Sequence, residues 1–275
     1  MALERAILNP IIERWQRRMK AQKLMLLRNR SNVPEFVLGI DLDHHQEDVD
    51  WIKLKNTKLD YNWSDAGGGV NWQEVIDFGI KCVIVGISEG YGDTDPNYKS
   101  NYLNAHINGF VTTGYHFAYP SKEPMDAWKE ARYFLGKLGE LPKPHVPICL
   151  DLEQNEADMT REAYTSWAET FVGLGKLVSP TGIMLYGSDE LDNWLQADHK
   201  LGKIPLFLPR YGKNDGVPRI DKYPPEENMP KGWDDWNIWQ FTSNGRVPGI
   251  DKRCDMFLVR RDWLLNFVSP SFLNK

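Results

Sequence analysis

From Phe36 onward, short apolar runs alternate with segments of helical periodicity. Phe36 to Leu42, Lys81 to Ser88, Phe110 to Phe117, Pro147 to Glu153, Gly182 to Tyr186, Pro205 to Leu208, Trp236 to Phe241 and Arg253 to Val259 are short and mostly apolar, the pattern of buried strands. Between them, Trp72–Phe78, Asn97–Asn108, Pro124–Leu138, Arg161–Val178 and Asp189–Gln196 carry helical patterns. The link from Gly212 to Asp235 is rich in Pro, Gly and charge and reads as loop. Eight strands with helical crossovers predict a parallel α/β sheet closed as a barrel. The later helices are weak or missing, so the expected fold is an irregular (β/α) barrel.

The first residues follow a different pattern. Asn9-Pro10 has the form of an N-cap followed by proline at N1, and a helix is expected from there to about Arg28. Ile11, Ile12, Trp15, Met19, Leu26 and Leu27 make a broken apolar stripe along it, which fits docking on the body of the protein. The chain thus divides into a helical extension over residues 1–32 and a barrel over 33–275. Asp48-Val49-Asp50-Trp51 is echoed by Val70-Asn71-Trp72 after a run of glycines, so residues of about 45–69 read as an insertion above the barrel mouth.

Charge sharpens this division. The net charge is −5, yet residues 1–32 hold eight Lys/Arg against Glu4 and Glu13, a net of +6 that leaves −11 for the rest. An acidic body argues against nucleic acid as a partner of the barrel. The basic extension suits an anionic envelope or a virion partner. Cys82, Cys149 and Cys254 are odd in number and each falls in an expected strand, so free buried thiols are expected. No C-x-x-C or H-x-x-x-H spacing is present, and no metal or cofactor is expected. His44-His45 lies beside Asp41 and Asp43, but neighbours on a strand face opposite ways, a poor arrangement for one ion. The N-terminal residues lack the apolar core of a signal peptide, and no run is long enough for a transmembrane segment. The expectation is synthesis in a cytoplasm.

Chemistry concentrates where the apolar runs end. Pro147-Ile148-Cys149-Leu150-Asp151-Leu152-Glu153 closes in two carboxylates two positions apart, which a strand would point the same way. Two acids at the end of a buried strand repel and lose solvation, raising one pKa. One protonated acid beside one ionised partner is the equipment for cleaving a glycosidic bond. Alone, the motif better fits a strand leaving into an acidic loop, because D-x-E is common. The other strand ends are Asp41, Glu89, His116 with Phe117, Tyr186, Tyr211, Gln240 and Asp255. In a barrel these converge on one rim. Acids and aromatic rings on one rim suit a neutral polysaccharide. No G-x-S-x-G elbow or Gly-rich phosphate loop competes with that reading.

These residues resemble those of the glycoside hydrolase family 25 lysozymes. The resemblance lies in Gly39-Ile40-Asp41-Leu42, Ile87-Ser88-Glu89-Gly90, Gly114-Tyr115-His116-Phe117, Asp151-Leu152-Glu153, Tyr186-Gly187 and the stretch from Trp239 to Ile250, followed by Asp255. It runs in order from about Val37 to Val259. The resemblance implies a peptidoglycan hydrolase, a muramidase of bacterial, fungal or phage type, cleaving between N-acetylmuramic acid and N-acetylglucosamine. It implies Glu153 as general acid and Asp151 as the second carboxylate, orienting the substrate acetamido group or stabilising the cationic transition state. Asp41 and Asp255 match the family's further acidic residues, while Glu89, His116, Phe117, Tyr186, Tyr211 and Gln240 match groove positions. A phage lysin of this kind would reach the wall through a holin or as part of a virion.

The chain departs from the family pattern at Asp43, where a small hydroxyl residue is usual, and at Phe257, near a position often polar. The basic extension and the insertion are also foreign to it, and no wall-binding repeats follow the barrel. Two other readings compete. A chitinase-like hydrolase lacks its longer acidic signature here, since residues 147–149 are Pro-Ile-Cys. A non-catalytic virion or carbohydrate-binding protein on the same fold would not need a protonatable pair.

Overall fold

The computed structural model describes residues 35–46, 48–57, 76–216 and 229–273. The expected N-terminal helix, the 32/33 boundary and residues 58–69 of the expected insertion lie outside these.

The described elements run β1 (Phe36–Leu42), a 3-10 turn (His44–Gln46), α1 (Trp51–Asn56), β2 (Ile76–Glu89), β3 (Asp93–Thr94), α2 (Tyr98–Ile107), β4 (Val111–Phe117), α3 (Asp126–Leu138), β5 (Ile148–Asp151), α4 (Arg161–Val178), β6 (Ile183–Tyr186), α5 (Leu191–Trp194), β7 (Leu206–Pro209), β8 (Ile238–Gly245), β9 (Cys254–Arg260), α6 (Arg261–Leu264) and α7 (Pro270–Leu273). The sheet order is β1-β9-β8-β7-β6-β5-β4-β2-β3, and β1 also pairs with β2. That pairing closes eight strands into a barrel and leaves β3 as a spur on β2. The α/β barrel expected from the apolar pattern is the fold observed.

Three details correct the sequence reading. Ile76 to Phe78 belong to β2 and not to a helix, so β2 is fourteen residues long. The closing strand β9 is antiparallel to both β1 and β8. The segment 246–253 between β8 and β9 explains this, because a parallel return needs a crossover of a dozen or more residues. Finally, β5 stops at Asp151, and Glu153 follows it in irregular chain.

Alternation along the strands divides the core into two layers. Leu38, Ile40, Val83, Val85, Ile148, Leu150 and Leu185 face outward and pack with helix residues such as Tyr102, Ala131, Phe134 and Phe171. α4 shows why its sequence folds there. Tyr164, Trp167, Ala168, Phe171, Val172 and Gly175 recur at helical spacing and are buried, and Thr160 caps the first turn by accepting from the Ala163 amide at 3.3 Å. Val37, Ile84, Cys149, Met184, Phe207, Phe257 and Val259 face inward. Leu264, Val268 and Leu273, from α6, α7 and their link, join this inner cluster with Val37, Cys82 and Val111, and so stopper the end where the strands begin. The barrel is therefore filled from below, and its acidic cavity opens at the C-terminal ends of its parallel strands.

Late helices are short, as expected: α5 is a single turn, and among the described residues none lies between β7 and β8. Cys82, Cys149 and Cys254 are free and buried.

Candidate active site

On β1 the inward positions are Val37, Gly39 and Asp41. Gly39 stands opposite Phe257 of β9, and a Cβ there would meet the Phe257 ring at 2.1 Å. The glycine leaves room inside the barrel for the buried Phe257 ring, which packs edge-on against Phe207, and this gives the unusual Phe257 a structural reason. One step further along, Asp41 and Asp255 stand opposite each other. Like charges in directly opposed positions are destabilising. On the far wall Asp151 pairs in register with Phe117 on one side and Tyr186 on the other.

Asp41, Asp255, Asp151, Phe117 and Tyr186 line one cavity of about 310 Å³, together with Asp43, Tyr115, Cys149, Glu153, Phe207, Gln240 and Arg253. Five carboxylates thus share one small space. Burial pushes Asp41 well above the ordinary carboxylate range, and Asp255, Asp43 and Glu153 add to the effect. Asp151 is likewise pushed well up, first by burial and then by Glu153 and Asp41. Glu153 rises through burial and the nearby Glu190, while its hydrogen bond with Asp151 opposes the rise. Asp255 is raised to about 6, by burial first and then by Asp43. The physical statement common to all four is that the pocket retains protons which isolated acids would have lost.

Glu153 and Asp151 differ in reach. Asp151 is buried at the strand end, whereas Glu153, enclosed on its pocket side, keeps part of its surface in solvent. Asp151 Oδ1 and Gln240 Oε1 are buried without a hydrogen-bond partner among the described residues. Gln240 is otherwise fixed, its Nε2 donating to the Tyr211 hydroxyl at 2.8 Å and to Asp255 Oδ2 at 2.5 Å. The strand carrying it is anchored next door, where Asn214 Oδ1 accepts from Thr242 Oγ1 at 2.7 Å and from the Ser243 amide at 2.9 Å.

Asp41, Asp151, Glu153, Asp255, Phe117, Tyr186 and Gln240 are therefore brought together as the sequence pattern predicts. Tyr211 sits at the rim, bonded to Gln240. Glu89 lies in a neighbouring cavity of about 310 Å³ that shares Asp43, His45, Tyr115 and Phe117 with the first. Its carboxylate accepts from the Tyr119 hydroxyl at 2.7 Å.

His116 is the exception and corrects the sequence reading. It is fully buried on the helix side of the sheet, between Phe134 and Phe171. Its Nδ1 is 2.9 Å from Ser88 Oγ and its Nε2 is 2.8 Å from Glu130 Oε2. Adjacent strand residues face opposite ways, so Phe117 and His116 cannot both line the pocket. Tyr115 takes the inward place instead, two positions before Phe117. The buried alternation of Val111 and Tyr115 was the signal for it.

A second correction concerns His44 and His45. β1 has already ended, and the turn that follows gathers Asp43, His44 and His45 so that their ligating atoms lie within 4.8 Å of one another. Strand alternation does not apply to a turn. His45 Nδ1 pairs with Asp43 Oδ1 at 2.9 Å and His44 Nδ1 with Asp95 Oδ2 at 3.2 Å.

A barrel whose open end carries a cluster of protonatable carboxylates between aromatic walls has the make-up of a glycoside hydrolase. The chain matches the profile of Glycosyl hydrolases family 25 over residues 40–250, and it belongs to that family. It is 23% identical to Lysozyme M1 of Streptomyces globisporus over 228 residues, which cover 80% of this chain and 66% of that protein. Among solved structures, a family GH25 lysozyme from Aspergillus fumigatus superposes with a TM-score of 0.65 at 23% identity, covering 85% of this chain and 99% of that one. The CTP1L endolysin gives 0.62 at 24% identity over 84% of this chain and 68% of its own.

Proposed function

We propose that the protein is a peptidoglycan hydrolase, an N-acetylmuramidase that cleaves the β-1,4 bond between N-acetylmuramic acid and N-acetylglucosamine. The observation that carries this reading is the proton-retaining cluster of Asp41, Asp151, Glu153 and Asp255 at the mouth of the barrel. Membership of the family and the likeness to Lysozyme M1 support the choice of substrate.

Glu153 is the proton donor in this scheme, because it is raised in pKa and still faces solvent, where a glycan would lie. It protonates the glycosidic oxygen as the C–O bond breaks. The sugar becomes oxocarbenium-like, and water adds to the anomeric carbon, its proton passing to an ionised carboxylate of the cluster. The deeper Asp151 orients the acetamido group or stabilises the cation. Asp41 and Asp255 add negative charge around it, an effect that is strongest in the transition state. Phe117, Tyr186 and Tyr211 offer ring faces to the sugars. Gln240, tied to Tyr211 and Asp255, turns a buried amide oxygen toward a donor such as a sugar hydroxyl or acetamido N–H. Glu89, one cavity further along, would meet the next sugar.

Delivery belongs to the same proposal. The protein would act at the bacterial wall as a phage lysin, released by a holin or carried on a virion. The +6 charge of residues 1–32 supports contact with an anionic envelope or a virion partner. Digestion of purified peptidoglycan, followed by borohydride reduction and mass spectrometry, tests the assignment. Fragments ending in reduced N-acetylmuramic acid are expected. Fragments ending in reduced N-acetylglucosamine, or no fragments, would overturn it.

A further inference from the structure

The acidic pocket continues into a second space of opposite sign. The segment joining β8 to β9 forms a cavity of about 830 Å³ that carries Arg246, Lys252 and Arg253, with His45 on its other side and Asp251 as its one acid. His45 and Arg253 line this cavity and the acidic pocket alike, so the two are continuous. One groove thus changes from a wall of carboxylates to a wall of cations within a few residues.

The cationic wall is built on fixed backbone. The Asp50 amide donates to the Gly249 carbonyl at 2.8 Å, and Val49 bridges Ile250 in antiparallel fashion. Gln46 Nε2 donates to the Arg253 carbonyl at 3.0 Å, and Val247 and Ile250 are buried beneath. Arg253 Nη1 donates to the Asn244 carbonyl at 3.0 Å, holding its guanidinium over the hairpin. Side chains carried by a braced loop lose less freedom on binding than those on a mobile one.

This arrangement has a chemical counterpart in the proposed substrate, on whose reading the inference rests. The sugar rings of peptidoglycan are uncharged, and an acidic pocket tolerates them while repelling anions. The stem peptide on the muramoyl lactyl group ends in carboxylates. We propose that the cavity between His45 and Lys252 is a cationic subsite for the stem-peptide carboxylates, so that the protein distinguishes peptide-bearing glycan from bare glycan. The repulsive acids and the attractive cations act together: the peptide is driven out of the first pocket and received in the second.

The test uses the full chain and glycan strands prepared in two forms, with tetrapeptide stems and after removal of the stems by an amidase. Cleavage kinetics and equilibrium binding are read separately. Wild type should show a KM and a dissociation constant for peptide-bearing strands about three- to tenfold lower than for stripped strands, the scale of two exposed ion contacts. Raising the salt to about 0.5 M should erase the preference by screening. Arg246→Glu/Lys252→Glu, both exposed side chains, should lose or invert it, and the gentler Arg246→Ala should halve it or more, at an unchanged melting midpoint. Equal affinity of wild type for the two strands overturns the subsite, as does a variant that keeps the wild-type preference or weakens on both strands alike. Preferential binding without cleavage of either strand would refute the hydrolase reading and leave the subsite standing.

Discussion

Replacing Asp255 with asparagine should make the protein more stable at neutral pH while lowering its activity. In the folded protein the Asp255 carboxyl is raised from its usual 3.8 to about 6, by burial first and by the Asp43 charge second. The folded state therefore holds a proton that the unfolded chain has released. Stability contributed by this group is present below the unfolded value of 3.8 and falls as pH rises toward 6. Above that, ionised Asp255 costs the fold up to about 3 kcal/mol, from the difference between 3.8 and about 6 at 1.36 kcal/mol per pH unit. Partial exposure of the residue brings the expected gain to about 1–3 kcal/mol. Asparagine has the same shape, and its Oδ1 can still accept from Gln240 Nε2, so no hydrogen bond need be lost. Urea unfolding of wild type and Asp255→Asn at about pH 7.5 and about pH 3.5 measures the effect. The gain should be present at the higher pH and vanish at the lower, while kcat on peptidoglycan drops. A variant that is less stable at neutral pH, or equally more stable at both, would refute the reasoning, because the raised pKa would then not be carried by the charge on Asp255.

Glu153→Gln should fold normally and lose about 10²–10⁴-fold in kcat, the usual worth of a general acid; wild-type rates with an unchanged pH profile would remove Glu153 from that role. Glu130→Ala should destabilise the fold by about 2–5 kcal/mol, since it strands His116 Nε2 in the core and takes the acceptor from the Tyr119 amide. Thermal melting measures this loss, and KM at a temperature where the variant is folded should be little changed. Thiol titration of the denatured, unreduced protein should count three cysteines, and the native protein should react slowly because all three are buried.

The barrel was legible because its strands are short apolar runs, and a run of β-branched and aromatic residues between turn signals has few other readings. Strand direction was not, since periodicity is the same read either way; only the short 246–253 link distinguished β9 from a parallel strand. Ile76 to Phe78 were misread because a buried strand start and a helix end look alike over three residues. The acids were legible for the opposite reason: a charge that closes a buried strand has no comfortable place in a core. Asp41 and Asp151 stand out in this way, whereas Asp255 opens β9 and reaches the same rim because that strand runs antiparallel. His116 stands out equally, yet its partner Glu130 sits on α3, where a lone glutamate between Lys129 and Ala131 reads as an ordinary surface residue. Nothing local to either residue announces the pair. Asp43 and His45 were hidden by a change of conformation, because the chain leaves the strand at Leu42 and turns.

The pairing of Asp41 with Asp255 has a consequence in time as well as in space. The two residues belong to the first and last strands of the barrel, so almost the whole chain must be made before they can meet. Synthesis proceeds from the N-terminus, and contacts between distant segments are the slow ones to form. A nascent chain holding β1 to β8 has an open edge on each side of the gap that β9 will fill, and it lacks one member of the acid cluster. The complete acid cluster is thus the last feature the growing chain acquires. A chain clipped before β9 lacks both the strand that closes the barrel and Asp255.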